Sequence, residues 1–282
     1  MGAGEILTVS RSEKEGCITY EQAKRLHFDA AAIINATPAG MYPDADGSAI
    51  ELDGFTELET VLDAVYNPLR TDLVISAQRR GIRAEGGLYM LSAQAVYACG
   101  KFLDRETDPE DIERAYSAVR NDKLNIVLAG MPSSGKTTVG KKLSELCGKS
   151  FIDTDEEIIK RIGMPIADFF ASYGEGEFRR VESEVISELS KLTSTVIATG
   201  GGAVLNDENV RRLRHNGLIV FLDRLPDRLV PTDDRPLASS RCAMLRLYEK
   251  RYPVYLGCAD VSIDGNGTVE QTAEKVYREI FG

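Results

Sequence analysis

Apolar residues never run on for the length of a bilayer span, so no membrane-spanning segment is expected. Cysteine is sparse and scattered. Cys17, Cys99, Cys147, Cys242 and Cys258 form no C-x-x-C pair and are odd in number, which supports neither structural zinc nor a disulfide framework. A reducing, cytoplasmic setting follows as the expectation. Only two histidines occur, His27 and His215, and neither has a nucleophile partner in sequence, so both read as ordinary surface or core residues. An excess of basic residues is lacking too: the formal net charge is −10, which repels a phosphate backbone and argues against a nucleic-acid partner. It does not exclude a nucleotide, which needs one local cationic pocket. Met1-Gly-Ala-Gly-Glu5 has neither a basic region nor an apolar run and is not a signal peptide. Internal repeats and low-complexity tracts are absent as well.

What is present fits two modest domains. The chain has 282 residues, 43% of them hydrophobic, enough to bury real cores. A charged stretch runs from Asp104 to Lys123; Pro109 opens a helix expected to reach about Val119, and Asn121-Asp122-Lys123 reads as a turn. The boundary is placed there, giving 1–121 and 122–282. Beyond it, short apolar runs alternate with helical periodicity. Strands are expected at Leu124–Ala129, Ser150–Ile152, Thr195–Ala198, Leu218–Leu222 and Val261–Ile263. Helices follow the first strand, cover Glu175 to Leu192, and close the chain with Val269, Ala273, Val276 and Ile280 on one face. Such βα units give an α/β fold, a parallel sheet with flanking helices. The first hundred residues also alternate, with strands expected at Ile6–Val9, Ala32–Asn35 and Val61–Val65, and helices at Tyr20–Leu26, Thr71–Arg80 and Leu88–Phe102.

Gly130-Met131-Pro132-Ser133-Ser134-Gly135-Lys136-Thr137 matches G-x-x-x-x-G-K-[ST], directly after a strand and before a helix. Glycine lets the backbone curl so that N–H groups point at phosphate oxygens, and the helix adds its positive end. Ser133, Ser134, Gly135, Lys136, Thr137 and Thr138 are the expected ATP-binding residues. Lys136 neutralises the β and γ phosphates, and Thr137 is a magnesium ligand. A plain glycine turn is the bland alternative.

Asp153 and Asp155 end the second strand. Two residues apart in extended chain, they would face the same way at the carboxyl edge of the sheet. One can hold magnesium through water. The other can accept the proton of an attacking hydroxyl. A helix N-cap at Thr154 or Asp155 is the alternative, and both readings are compatible. Glu175, Arg179 and Glu182 share one helix face, which could equally be a surface salt-bridge ladder. Thr199-Gly200-Gly201-Gly202 ends the third strand, as a turn or as a floor on which a substrate approaches the backbone. Arg235-Pro236-Leu237 sits in a polar loop, and Arg251 is expected to end the next helix.

Taken together, the phosphate loop, Asp153-Thr154-Asp155, Gly174-Glu175-x-x-Phe178-Arg179-x-x-Glu182, the glycine triplet, Arg235-Pro236-Leu237, and Arg251 with Tyr255 resemble shikimate kinase over essentially all of 124–282. The resemblance implies a P-loop NTPase-type fold and ATP- and Mg2+-dependent phosphorylation of the 3-hydroxyl of shikimate, on the route to chorismate and aromatic amino acids. It implies that Lys136, Asp155 and Arg235 are catalytic, that Asp153 stands with Thr137 at the magnesium ion through water, and that Arg235 belongs to a lid closing over the phosphates. It also implies that Asp155, Arg179, Gly200, Gly201, Gly202 and Arg251 bind shikimate, with the two guanidinium groups on its carboxylate. Two departures stand out: Ser133-Ser134 where the family often has Gly-Ser, and a short lid from about Arg224 to Arg235, which bears on Arg228. A gluconate-type kinase is the main rival; it would not need both Arg179 and Arg251 for a carboxylate. An inactive scaffold is the other.

Residues 5–104 resemble the later part of shikimate 5-dehydrogenase. The carriers are Asn35-Ala36-Thr37-Pro38-Ala39-Gly40-Met41, Asp63-Ala64-Val65-Tyr66-Asn67-Pro68, Gly86-Gly87-Leu88-Tyr89 with Gln94, and Val9-Ser10-Arg11-Ser12. That implies an incomplete Rossmann-like α/β domain. The family's catalytic lysine and aspartate and its glycine loop have no counterpart here, so no dehydrogenase activity and weak or no NADP binding are expected. The incomplete sheet is expected to expose an edge that favours self-association or pairing with another chain. This segment could be a remnant that helps the kinase fold or dimerise, a complement to a separate upstream chain, or part of a truncated dehydrogenase–kinase fusion.

Overall fold

A computed structural model describes residues 4–230 and 240–282. The expected Arg235-Pro236-Leu237 segment lies outside the described residues. The chain divides into two compact units, Met1–Tyr116 and Ser117–Gly282.

In the first unit, β1 (Val9–Ser10) and β2 (Ile18–Thr19) form a short parallel ladder, followed by α1 (Tyr20–Leu26). A capping box starts α1: the Thr19 hydroxyl accepts from the Gln22 amide and the Gln22 side chain accepts from the Thr19 amide. A parallel three-stranded sheet is built from β3 (Ala32–Asn35), β4 (Thr60–Asp63) and β5 (Arg83–Glu85), in that order, with α2 (Asp72–Arg79) after β4. Val61 packs with Ile50, Leu52, Leu58, Leu73 and Ala77 beneath it. The alternate residues Ile34 and Leu62 are exposed. Helix α3 (Leu88–Phe102) follows, and α4 (Pro109–Lys123) begins in this unit and ends in the next. Three expectations change here. The strand expected at 6–9 shrinks to Val9–Ser10 and pairs with β2, outside the main sheet. The strand expected at 61–65 runs from Thr60 to Asp63. Asn121-Asp122-Lys123 is the last turn of α4, where Lys123 and Arg120 suit the negative end of the helix.

The second unit is a five-stranded, all-parallel sheet. Its strands are β6 (Asn125–Ala129), β7 (Ser150–Asp153), β8 (Thr195–Ala198), β9 (Gly217–Asp223) and β10 (Val261–Asp264), in the order β10-β9-β6-β8-β7. Every residue of β6 is buried, as a central strand covered on both faces requires. Its side chains alternate between two cores. Ile126 and Leu128 join Val196, Val220, Leu143 and Val276. Val127 and Ala129 join Ile197, Ile219, Phe221 and Tyr255. Helices α5 (Lys136–Cys147), α6 (Thr154–Ile162), α7 (Ile166–Leu189), α8 (Asp207–Asn216), α9 (Arg241–Cys258) and α10 (Val269–Phe281) complete the unit. The chain leaves β6 toward β8 and β7, then returns to the other side for β9 and β10. The carboxyl end of β6 is therefore the topological switch point, where open α/β sheets hold ligands.

Helix α7 is broken at Gly174, whose φ of 81° and ψ of 172° are not helical. The expected start at Glu175 marks that break, and the helix ends at Leu189, short of Leu192. Arg251 lies inside α9, which continues through Pro253 to Cys258, so the proline does not end the helix.

Candidate functional site

The phosphate loop joins β6 to α5. Gly130, Ser133 and Gly135 all take positive φ, at 151°, 62° and 92°. For a serine that conformation costs roughly 1 kcal/mol. The Ser133 hydroxyl donates to the Val230 carbonyl at 2.7 Å, a local compensation. Lys136 is buried, and its Nζ donates to the Gly130 carbonyl at 2.9 Å and the Met131 carbonyl at 2.8 Å. Ser133, Gly135, Lys136, Thr137 and Thr138 line a cavity of about 580 Å³. Ser134 does not. Its amide donates to the Met131 carbonyl, and its hydroxyl is buried under the loop, where a β-carbon on Gly130 would stand 3.0 Å away.

Asp153 and Asp155 face the same cavity, though not by strand alternation. β7 ends at Asp153, which is itself the N-cap of α6: its Oδ1 accepts from the Asp155 amide at 2.9 Å. Asp155 is therefore a first-turn helix residue. The other oxygen, Asp153 Oδ2, accepts from the Thr137 hydroxyl at 2.6 Å. A hydroxyl and a carboxylate thus meet at one point on the wall, the hard oxygen donors that magnesium uses when it keeps most of its waters. No group of three or more His, Cys, Asp or Glu side chains suited to a metal occurs among the described residues.

Beside the loop, where a β-carbon on Gly201 would stand 3.0 Å from Pro132 Cδ, the glycine triplet is a floor on which charged groups rest against bare backbone. A β-carbon on Gly200 would stand 2.6 Å from Asp155 Oδ1, and one on Gly202 would stand 2.3 Å from Arg179 Nη1. Arg179 is bracketed by Glu182 at 2.7 Å and Glu175 at 3.1 Å. Its ladder reading therefore holds, but the ladder faces the cavity. Arg251 Nη1 donates to the Gly201 carbonyl at 2.9 Å, and the Tyr255 hydroxyl donates to the same oxygen at 2.5 Å. Burial pushes the Tyr255 phenol up to about 12, against the pull of Arg251, so it remains a donor throughout the working range. Arg179, Arg251 and Asp155 line the same cavity as Lys136.

Thr154, offered by the sequence as a helix N-cap, leaves that role to Asp153; its buried hydroxyl instead accepts from the Gly200 amide at 2.8 Å and ties α6 to the floor. Sequence reading missed the apolar wall of Ile166, Phe170 and Leu247. The signal for Phe170 was present in the paired Phe169-Phe170. For Thr154 the partner is 46 residues away and left no local trace. Arg228, questioned as a lid residue, donates to the Asn266 carbonyl.

A family model described as shikimate kinase matches residues 132–281. The chain belongs to the shikimate kinase family. It is 46% identical over 160 residues to a shikimate kinase of Caldicellulosiruptor bescii, across 54% of this chain and 92% of that protein. It is 43% identical over 162 residues to one of Caldanaerobacter subterraneus, across 55% and 94%. Among solved structures, a shikimate kinase from Acinetobacter baumannii in complex with shikimate superposes with a TM-score of 0.55 at 34% identity, covering 58% of this chain and 96% of that one.

Within this family member, Glu182 deserves a pH test. Burial pushes its carboxyl above the ordinary glutamate range, with Arg179 pulling the other way. Protonation on acidification removes the charge that orients Arg179. The KM for the acceptor is therefore expected to rise as pH falls toward the raised value, and Glu182→Gln should flatten that limb. A Gln variant whose KM–pH profile overlays the wild type would rule out this role. No helix among the described residues is long and apolar enough to cross a membrane.

Proposed function

We propose that residues 122–282 transfer the γ-phosphoryl group of ATP to the 3-hydroxyl of shikimate, forming shikimate 3-phosphate in aromatic amino acid biosynthesis. One observation carries this reading: a phosphate loop, two guanidinium groups and the carboxylate of Asp155 share a single cavity. ATP with magnesium supplies the phosphoryl group and offsets its charge. Lys136 binds the phosphates, Thr137 and Asp153 hold the cation, and Asp155 takes the acceptor's proton. Arg179 and Arg251 pin the shikimate carboxylate over Gly200, Gly201 and Gly202, while Phe170 and Leu247 keep water from the ring. Arg235, outside the described residues, is assigned to the lid by resemblance alone.

Coupled ADP release tests the assignment, with shikimate set against gluconate and neutral polyols. Turnover with shikimate alone is expected, and turnover with gluconate alone would overturn it. Arg179→Ala should raise the KM for shikimate about 30- to 100-fold and change kcat far less, since a charge-assisted bidentate contact contributes roughly 2–3 kcal/mol. Unchanged shikimate affinity would count against the carboxylate clamp.

The reading of residues 1–121 as a partial shikimate dehydrogenase-like domain with a linker helix rests on its motifs. Their polar residues are used together. Asn35 Nδ2 donates to Asp63 Oδ1 at 3.0 Å, and the Thr71 hydroxyl donates to Asp63 Oδ2 at 2.6 Å. This joins the ends of β3 and β4 to the start of α2, as a Rossmann-type unit needs where loops meet at the sheet edge.

A further inference from the structure

Arg224 follows the last residue of β9 and lies on the flank of the phosphate loop. Its Nη1 is 3.4 Å from the point where a β-carbon on Gly135 would stand, and Thr138 Oγ1 is 3.6 Å from the same point. The guanidinium therefore rests against the last turn of the loop, beside the exposed Thr138 at the start of α5. Its Nε is sealed from solvent and has no hydrogen-bond partner. The neighbouring acids are engaged elsewhere: Asp223 accepts from the Tyr252 hydroxyl at 3.1 Å, and Asp227 pairs with Arg241. A guanidinium is always charged, and a donor buried without a partner destabilises the fold unless something else completes it. The acceptor groups Asp155 and Arg179 gather at Gly200 and Gly202. Arg224 instead stands at the Gly135–Thr138 flank, along which the loop's amides track the α and β phosphates.

We propose that Arg224 is a nucleotide-binding residue that grips the α-phosphate end of ATP and ADP alike. It binds and positions, and it does not act on the phosphoryl group in flight. The inference rests on the kinase reading of this loop, and direct binding separates the two. Calorimetric titration of the full chain with ADP and magnesium, and separately with shikimate, is the suitable probe, because the chain has no tryptophan. Arg224→Gln should weaken ADP binding about tenfold, the loss of one charge-assisted contact, while shikimate affinity and kcat at saturating ATP stay within about twofold. The KM for ATP should rise in step. ADP bound within twofold of wild type would overturn the proposal, even with shikimate phosphorylation intact. If shikimate affinity also fell, the loop would have moved, and Arg224→Lys decides: recovered ADP binding supports a charge contact, whereas ADP binding as weak as in the Gln variant with normal shikimate affinity refutes it. Wild-type protein that bound ADP yet left shikimate unphosphorylated would instead refute the acceptor assignment.

Discussion

Lys136→Ala is expected to lower kcat about a thousandfold, the scale of removing one cation aimed at charge developing on a transferring phosphoryl group. Two losses combine. The ammonium no longer reaches the phosphates, and the Gly130 and Met131 carbonyls lose the donor that holds them at 2.9 and 2.8 Å. The second loss predicts weaker ADP binding in addition to slower chemistry. Lys136→Arg separates them: the charge remains, but a planar fork cannot fill a buried site shaped for a compact ammonium. That variant should keep more ADP affinity than the alanine variant and recover little turnover. Steady-state ADP release at saturating shikimate, paired with ADP titration, measures both. A kcat within tenfold of wild type in Lys136→Ala would remove the lysine from the chemistry.

Asp155→Asn should lower kcat between about 10²- and 10⁴-fold, the contribution of a positioned general base. Asparagine keeps the size of aspartate but cannot take the hydroxyl proton. Size matters because the floor is tight: a β-carbon on Gly200 would already stand 2.6 Å from Asp155 Oδ1. A glutamate here would therefore displace the floor. Shikimate affinity in the Asn variant should change by less than about fivefold, since the two arginines remain and only one hydrogen bond is altered. A kcat reduced less than threefold would assign proton removal elsewhere.

The phosphate loop was legible because its chemistry is contiguous: eight neighbouring residues carry the glycines, the lysine and the threonine. The strands of the second unit were legible because β6 and its neighbours are buried on both faces and read as unbroken apolar runs. Asp153 and Asp155 were found through mistaken geometry. Strand alternation placed both at the sheet edge, whereas Asp153 ends the strand and caps the helix that presents Asp155. The expected end of α9 at Arg251 falls short, because burial of Tyr255 and Cys258 carries the helix on through Pro253. Helix α8 was missed despite Asn206 at its N-cap and Val210 and Leu213 at helical spacing. β5 was missed because Arg83-Ala84-Glu85 holds one apolar residue, too little for a periodic signal. Thr154 and Tyr255 stand in the motifs, but their partners Gly200 and Gly201 lie 46 and 54 residues away, and those contacts belong to tertiary structure.

The Thr154–Gly200 hydrogen bond has an entropic consequence. Thr154 is wholly enclosed, and the carbonyl one residue beyond Gly200 is held by two donors. The start of α6 that carries Asp155 and the glycine backbone on the cavity floor are therefore a single stiff slab. Little conformational freedom remains there to be lost on association. On the proposed assignment, the attacking oxygen would meet Asp155 in a geometry set during folding, not during the encounter.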